Sequence, residues 1–239
     1  ILPADDALEL ERLLQPENRT EKTKISKAYK EKLSDKVYKT YPFLATTVRT
    51  KIDDKTKTIN IYGKKVPGRS DLYVYFQLLM PSLLNTEGTF CFIISNSWLD
   101  VEFGAYVQQF LLKHTQLHAI YDCNKRSFSA AVNTVIYLHS AIINNDLDDN
   151  ALKTLKPDGN PVKFIMNKDD YTQMAYAPIL IEQENCRVNA FRNNYRVIPR
   201  DIKYLWSSGY NSTTFTYDGD KWGAKWLYSP NIYHKIRKR

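Results

Sequence analysis

Apolar and polar positions change period several times along this chain, and each change predicts an element. Near the start, Asp5 and Asp6 precede Ala7-Leu8-Glu9-Leu10-Glu11-Arg12-Leu13-Leu14, an acidic opening onto helix formers. Pro16 ends that helix because it has no amide hydrogen to donate. A second helix is expected through Ala28-Tyr29-Lys30-Glu31-Lys32-Leu33. From Thr46 to Tyr62 the chain is rich in Thr, Val and Ile on both sides of Asp53-Asp54-Lys55, the pattern of a β-hairpin with a polar turn. Pro67-Gly68 punctuates its end.

The pattern then becomes α/β. Tyr73, Phe76, Met80, Leu83 and Leu84 share one helical face, and Pro81 is expected to kink that helix. Gly88 allows a turn into Thr89-Phe90-Cys91-Phe92-Ile93-Ile94-Ser95, whose unbroken apolar run predicts a strand covered by helices on both faces. Phe103, Val107, Phe110 and Leu111 repeat at helical spacing, and Leu117 to Tyr121 and Thr134 to His139 supply two further strands. Asp146-Leu147-Asp148-Asp149 and Pro157-Asp158-Gly159-Asn160-Pro161 read as a linker. Residues 162 to 239 are less regularly patterned, with a strand expected at Ile179-Leu180-Ile181 and a short helix from Asp201 to Trp206. There is no internal repeat and no low-complexity tract.

At 239 residues, with 43% hydrophobic and 13% aromatic content, the chain can bury one large core or one and a half. No stretch approaches the roughly 20 apolar residues of a membrane span, and no signal peptide opens the sequence. Cys91, Cys123 and Cys186 are odd in number, far apart and without a CxxC pair. Together these features lead us to expect a cytoplasmic protein with no membrane partner and no zinc site. Ile1 stands where a complete chain would carry Met, as expected of a piece of a longer polypeptide.

A net charge of +8 favours a polyanionic partner. Between Tyr41 and Ser70 the bases Arg49, Lys51, Lys55, Lys57, Lys64, Lys65 and Arg69 face only Asp53 and Asp54. From Lys221 onward, Lys221, Lys225, Lys235, Arg237, Lys238 and Arg239 meet no carboxylate. Phosphate contact and a solvated basic loop fit either cluster alone equally well, and the tyrosines and tryptophans interleaved with them tilt the balance to nucleic acid. Other chemistry is poorly represented. Asp53-Asp54-Lys55 lies in a turn and Pro157-Asp158 has no partner triplet, so a metal-dependent nuclease is disfavoured. His114 and His118 straddle a helix-to-strand junction rather than sharing a face, and no Ser or Cys stands in a nucleophile motif.

Four segments carry more specific information: Asp71-Leu72-Tyr73 with Phe76, Ile94-Ser95-Asn96-Ser97-Trp98-Leu99, Ser127-Phe128-Ser129-Ala130-Ala131-Val132-Asn133-Thr134, and Trp222-Gly223-Ala224-Lys225-Trp226-Leu227-Tyr228-Ser229-Pro230-Asn231-Ile232-Tyr233. In this order they resemble the distal half of the methyltransferase domain in N6-adenine DNA methyltransferases, specifically the single-chain type IIG (Eco57I-like) restriction-modification enzymes. The resemblance is strong over about residues 70 to 140 and good again over 217 to 234. It implies an α/β fold: a partial Rossmann-like methyltransferase sheet, with a helical N-terminal segment, a basic hairpin insertion and a less regular C-terminal region. The implied division is 1–70 for the helical segment and hairpin, 71–145 for the distal half of the methyltransferase domain, and 146–239 for a linker and the junction to a target recognition domain.

The resemblance also implies roles. Asp71, Tyr73 and Phe76 fall in the motif whose aromatic position lies against the adenine of S-adenosylmethionine, where a flat purine needs an apolar wall. Read on its own, Phe76 is as well explained as core on an amphipathic helix. Asn96 and Ser97 would line a site at the carboxyl end of a strand, with capping of the next helix as the alternative. Ser95 stands where the family usually has proline. Phe128 occupies the position whose ring stacks on the target adenine once it is rotated out of the duplex. Lys51, Lys55, Lys57, Lys64, Lys65, Arg69, Lys221 and Lys225 would contact the DNA backbone. The two tryptophans of the last segment read equally as packing at a domain junction.

The family's catalytic tetrapeptide, built around two prolines, is missing, since the sequence has no Pro-Pro pair; nor has it a Gly-x-Gly turn. No catalytic residue is therefore assigned in this chain. S-adenosylmethionine is expected to bind the complete enzyme and not this chain alone. The implied partners are double-stranded DNA and, within the same polypeptide, an N-terminal methyltransferase half and a C-terminal recognition domain. A non-catalytic DNA-binding or interdomain module remains the alternative.

Overall fold

The computed structural model describes residues 19–52, 55–62, 66–85, 87–122, 133–142, 161–168, 182–184, 187–214 and 216–236. Two compact units divide the chain, residues 1–79 and 80–239. The expected helix at residues 7–14, the expected strand at 179–181 and both linker segments at 146–149 and 157–160 lie outside the described residues.

In the first unit the expected second helix is the middle of α1, Arg19–Thr40. Ser34, Val37 and Tyr38, spaced three and four apart, turn inward with Tyr41. The hairpin forms as β1, Ala45–Ile52, against β2, Lys55–Tyr62, antiparallel from Ala45 opposite Tyr62 to Ile52 opposite Lys55. With a side-chain period of two, that register sets positions 49 and 51 on one face of the ribbon and positions 55 and 57 on the other. α2, Leu72–Leu79, packs on α1 and buries Val74, Tyr75, Gln77 and Leu78. This corrects the expected face: Phe76 is 57% exposed and Tyr73 only half-buried. Seven of its eight residues are apolar or aromatic, so periodicity alone could not choose a side; packing on α1 does. Pro81 does not kink the helix but ends it, since α2 stops at Leu79 and tightens into a 3-10 turn over Met80–Leu83. Proline removes the amide that would have bonded the Gln77 carbonyl.

The second unit is built on a six-stranded mixed sheet of β3 (Thr89–Ser95), β4 (Thr115–Asp122), β5 (Thr134–Ile142), β6 (Val162–Asn167), β7 (Ala190–Phe191) and β8 (Tyr195–Arg200). Its spatial order is β3-β5-β4-β6-β8-β7. β5 is inserted antiparallel between β3 and β4, so those two are parallel to each other, and β4 is directly parallel to β6. α3, Gly104–His114, crosses from β3 to β4 as the spacing of Val107, Phe110 and Leu111 predicts, and all three are buried. Gly104 permits the crossover to start tight on the preceding turn: a Cβ there would lie 1.7 Å from the Trp98 carbonyl oxygen. β3 departs from expectation. It forms the sheet's edge, with Thr89, Cys91 and Ile93 exposed in alternation, rather than a strand covered on both faces. The chain after β8 folds as α4 (Ile202–Gly209), a short hairpin of β9 (Tyr210–Asn211) and β10 (Thr216–Tyr217), a π-helical turn over Gly223–Leu227, and α5 (Asn231–Ile236).

Strand register explains the core. Pairing aligns Phe92, Tyr137, Ile120, Phe164 and Ile198 in one row across the sheet. Trp222 packs edge-on against Phe164 at 5.8 Å and against Trp98 at 6.1 Å, and Trp98 meets Tyr137 at 5.8 Å. These rings tie the C-terminal segment to the same face as α3. On the opposite face Ala119, Ile165, Ala190, Tyr195 and Val197 form a smaller cluster. None of the described helices is long and apolar enough to cross a membrane.

Candidate functional site

Because β3, β4 and β6 run parallel, their carboxyl ends reach one edge of the sheet, where ligands approach open α/β sheets. Two residues beyond the aromatic row, register aligns Ile94, Val135, Asp122, Met166 and Arg196. Ser95, in place of proline, serves as the cap of the 3-10 turn Asn96–Leu99: its Oγ accepts from the Ser97 amide at 3.4 Å and shares a hydrogen bond with Ser97 Oγ at 3.0 Å. That leaves Asn96 for other work. Its amide nitrogen donates to the Asn133 carbonyl at 3.0 Å, and its Nδ2 donates to the Tyr228 hydroxyl at 2.8 Å. Tyr228 in turn donates to Asp122 Oδ1 at 3.3 Å. Asp122 and Asn133 are the residues that flank 123–132.

Tyr228 arrives from the C-terminal segment, and buried polar side chains hold that segment down. Arg196, 2% exposed, donates through Nη2 to the Leu227 carbonyl at 2.6 Å and through Nη1 to the Ser229 carbonyl at 2.7 Å and Asn231 Oδ1 at 2.8 Å. Gln108 on α3 donates to the Leu99 carbonyl at 3.1 Å and the Asp220 carbonyl at 2.9 Å, while its Oε1 accepts from the Asp220 amide at 2.9 Å and from Tyr217 at 3.3 Å. Asp100 Oδ1 accepts from the Ala224 amide at 3.0 Å. Electrostatically the edge is a weak acid beside a buried base. Burial pushes Asp122 up to about 6, against the opposing pull of its Tyr228 hydrogen bond and of Arg196. Burial likewise raises Tyr228, with Asp122 and Asp100 adding to the rise and the Asn96 bond opposing it.

The other expected site residues are distributed as follows. Asp71 is exposed just before α2, and Tyr73 and Phe76 lie on that helix. Phe76 and Leu72, 57% and 47% exposed, present an uncovered apolar surface, which suits one wall of a purine pocket and excludes a core role for Phe76. No residue of α2 supplies the anionic or ammonium contacts that the methionine end of S-adenosylmethionine would require, so the fit is to the adenine end alone. Lys51, Lys55 and Lys57 lie on the hairpin strands and Arg69 is exposed in the following turn. Lys225 is committed to an ion pair with Asp220 and Lys221 donates to the Asp100 carbonyl. Phe128, Lys64 and Lys65 lie outside the described residues. Among the described residues no three His, Cys, Asp or Glu side chains converge as a metal site.

Sequence reasoning missed Asp122, Tyr228, Arg196 and Gln108. Asp122 and Arg196 carried a usable signal, being single charges at the end of, or inside, otherwise apolar strands (Leu117 to Asp122, Tyr195 to Pro199), where an ionised group must find a partner. Gln108 and Tyr228 carried none beyond position.

Residues 42–128 match the family model described as Eco57I restriction-modification methylase. No curated protein matches the chain. The matched span takes in Asp71, Tyr73, Phe76, Asn96, Ser97 and Asp122 and reaches Phe128, so the edge on which Asn96 and Asp122 meet lies within it. Through residues 42–128 this chain is therefore related to the methyltransferase domain of the Eco57I restriction-modification methylases.

Proposed function

We propose that this chain is the distal part of a DNA methyltransferase that modifies adenine at N6, using S-adenosylmethionine, in a restriction-modification enzyme. The observation that carries the reading is the edge just described: the family match ends at Phe128, and the roots of the 123–132 loop are joined through Asn96 and Tyr228 at the carboxyl ends of parallel strands. An enzyme acting on N6 inside a base pair must extrude the base, and a ring on such a loop gives the extruded adenine a surface worth roughly 1–3 kcal/mol of stacking. Phe128 holds the base; Phe76 with Tyr73 forms an apolar wall for the adenine of the cofactor; Arg69 and the hairpin lysines neutralise phosphate. The cofactor supplies the methyl group, which passes to N6 as its bond to sulfur breaks and N6 gives up a proton.

The free edge of β3 supports the same reading, because an apolar, uncharged edge strand suits a sheet that continues beyond it. A second reading is favoured by the lack of any Pro-Pro pair or Gly-x-Gly turn: by itself the chain acts as a DNA-binding or interdomain module without catalysis. The two readings differ in scope rather than in parentage. Calorimetry on the isolated chain should detect no micromolar binding of S-adenosylmethionine, that is, nothing near −8 kcal/mol. DNA binding by the isolated chain should be weak, indifferent to sequence and steeply salt-dependent; a strong preference between unrelated duplexes, or no loss of affinity between 50 and 200 mM salt, would contradict phosphate contact as its basis.

The decisive experiment is Phe128→Ala in the full-length polypeptide that contains this chain. Methylation of duplex DNA should fall about 10- to 100-fold, the equivalent of roughly 1–3 kcal/mol of lost stacking, while the melting temperature barely moves. A buried core phenylalanine would instead cost about 3–5 kcal/mol of stability. A collapsed melting temperature, or unchanged methylation, overturns the base-stacking role.

A further inference from the structure

We infer that Tyr228 is a positioning residue: its hydroxyl, held between Asn96 and Asp122, is the tie through which the C-terminal segment sets the two roots of the 123–132 loop. The inference deepens the proposed function and rests on it for the loop's task. The loop leaves the sheet after Asp122 and returns at Asn133. Asn96 reaches the returning root through its own backbone, at 3.0 Å, and the departing root through Tyr228, at 2.8 and 3.3 Å. A hairpin loop needs no such tie, since β4 and β5 already pair at its base, Asp122 opposite Val135. The tie comes from 106 residues downstream of Asp122.

Donor and acceptor counting fixes its direction. An ionised carboxylate can only accept, so Tyr228 must give its proton to Asp122 and take the hydrogen from Asn96 Nδ2. The Asn96 amide is thereby turned so that its Oδ1 faces away from Tyr228. Arg196 clamps the carbonyls of Leu227 and Ser229, the residues on either side of Tyr228, so the backbone carrying the ring is held at both neighbours. The charged and titratable groups bearing on this pair are Arg196 on β8, which favours the Asp122 carboxylate, and Asp100, which bears on Tyr228. Once Asp122 is protonated it can donate, Tyr228 is no longer obliged to, and the Asn96 amide loses its fixed orientation.

The test follows the Asn96 side-chain amide by NMR in the 15N-labelled chain from pH 5 to 7.5, the resonance being assigned by its loss in Asn96→Ala. In the unaltered protein its shift should step with a midpoint near pH 6, the range to which burial moves Asp122. Asp122→Asn keeps an acceptor for Tyr228 and should abolish the step while leaving the amide in its high-pH position. Tyr228→Phe should abolish the step and move the amide to the value of a free asparagine, with the melting temperature nearly unchanged because the ring, 43% exposed, keeps its packing. A step that persists in Tyr228→Phe, or no step in the unaltered protein, overturns the tie. In the full-length enzyme Tyr228→Phe should lower extrusion of a 2-aminopurine placed at the target position by up to about tenfold, the scale of one lost hydrogen bond; undiminished extrusion also overturns it. The two claims fail separately. Unchanged methylation in Phe128→Ala removes the base-stacking reading while the pH step, lost in Tyr228→Phe, upholds the tie; lowered methylation in Phe128→Ala with a step that survives in Tyr228→Phe removes the tie alone.

Discussion

At the scale of single residues, what a side chain touches decides its cost of removal, and two of the residues described above should behave in opposite ways. Gln108 satisfies both backbone groups of Asp220, the Leu99 carbonyl and the Tyr217 hydroxyl from a buried position. Gln108→Leu keeps the volume but strands those partners, so chemical denaturation should show a loss on the order of 3 kcal/mol, in line with about 1–3 kcal/mol for each buried group left unpaired. A loss below about 1 kcal/mol would mean that water reaches them. Phe76 is the converse. As an uncovered ring on α2 it should tolerate alanine at less than about 1 kcal/mol, while Leu78→Ala, one helical step away and fully buried, should cost about 2–5 kcal/mol. Equal costs would return Phe76 to the core.

At the scale of elements, β3 is where physical chemistry and surroundings are most at odds. Seven residues without a charge or proline form an edge strand with Cys91 and Ile93 exposed, and such edges invite pairing with another strand. The isolated chain should therefore self-associate with rising concentration in sedimentation velocity runs under reducing conditions. Ile93→Lys, which sets a charge on that strand without touching the buried face, should shift the chain towards monomer; equal association of the two proteins would locate the contact elsewhere. The same element explains why the expectation of a doubly covered strand failed. An apolar run reports what a strand is made to be covered by, and nothing among the described residues pairs with the outer edge of β3. α2 failed for a related reason, because a helix apolar almost all round has no face until a neighbour selects one.

At the scale of the whole molecule, buried titratable groups set how stability follows pH. Burial pushes His114 and His139 down to about 4, so each favours the folded state fully above its ordinary value of 6.5 and loses that contribution as pH falls towards 4. Asp122, raised from 3.8 to about 6, acts in the opposite sense, its contribution present at low pH and lost as pH rises between those values. Two histidines outweigh one carboxyl over most of the window, and between about 6 and 6.5 they act unopposed. Melting temperature should fall steadily from pH 7 to pH 4, and His139→Phe, which keeps an aromatic ring beside Tyr137 and Phe90, should flatten that slope. An unchanged slope in the variant would place the proton uptake at other groups.

What the sequence by itself determined is whatever depends on neighbours close along the chain. The hairpin around residues 53–54, the α3 crossover, the strands ending near Tyr121 and starting at Thr134, and the short helix after Asp201 all follow from local period and turn chemistry. Asn96 and Ser97 were legible too, through the motif that also led to the family. Tertiary structure alone decided which face of α2 is buried, that β3 lies at an edge, and that residues after 162 add three strands to the sheet, since Val162–Asn167 and Tyr195–Arg200 find their pairing partners in each other and in β4. It also decided the site's second half. Asp122, Arg196 and Tyr228 are separated by 74 and 32 positions in the chain, and no periodicity spans such gaps. Strand register brings the first two into one row, the buried tryptophans bring the third above them, and a carboxylate, a guanidinium and a phenol removed from bulk water must then satisfy one another.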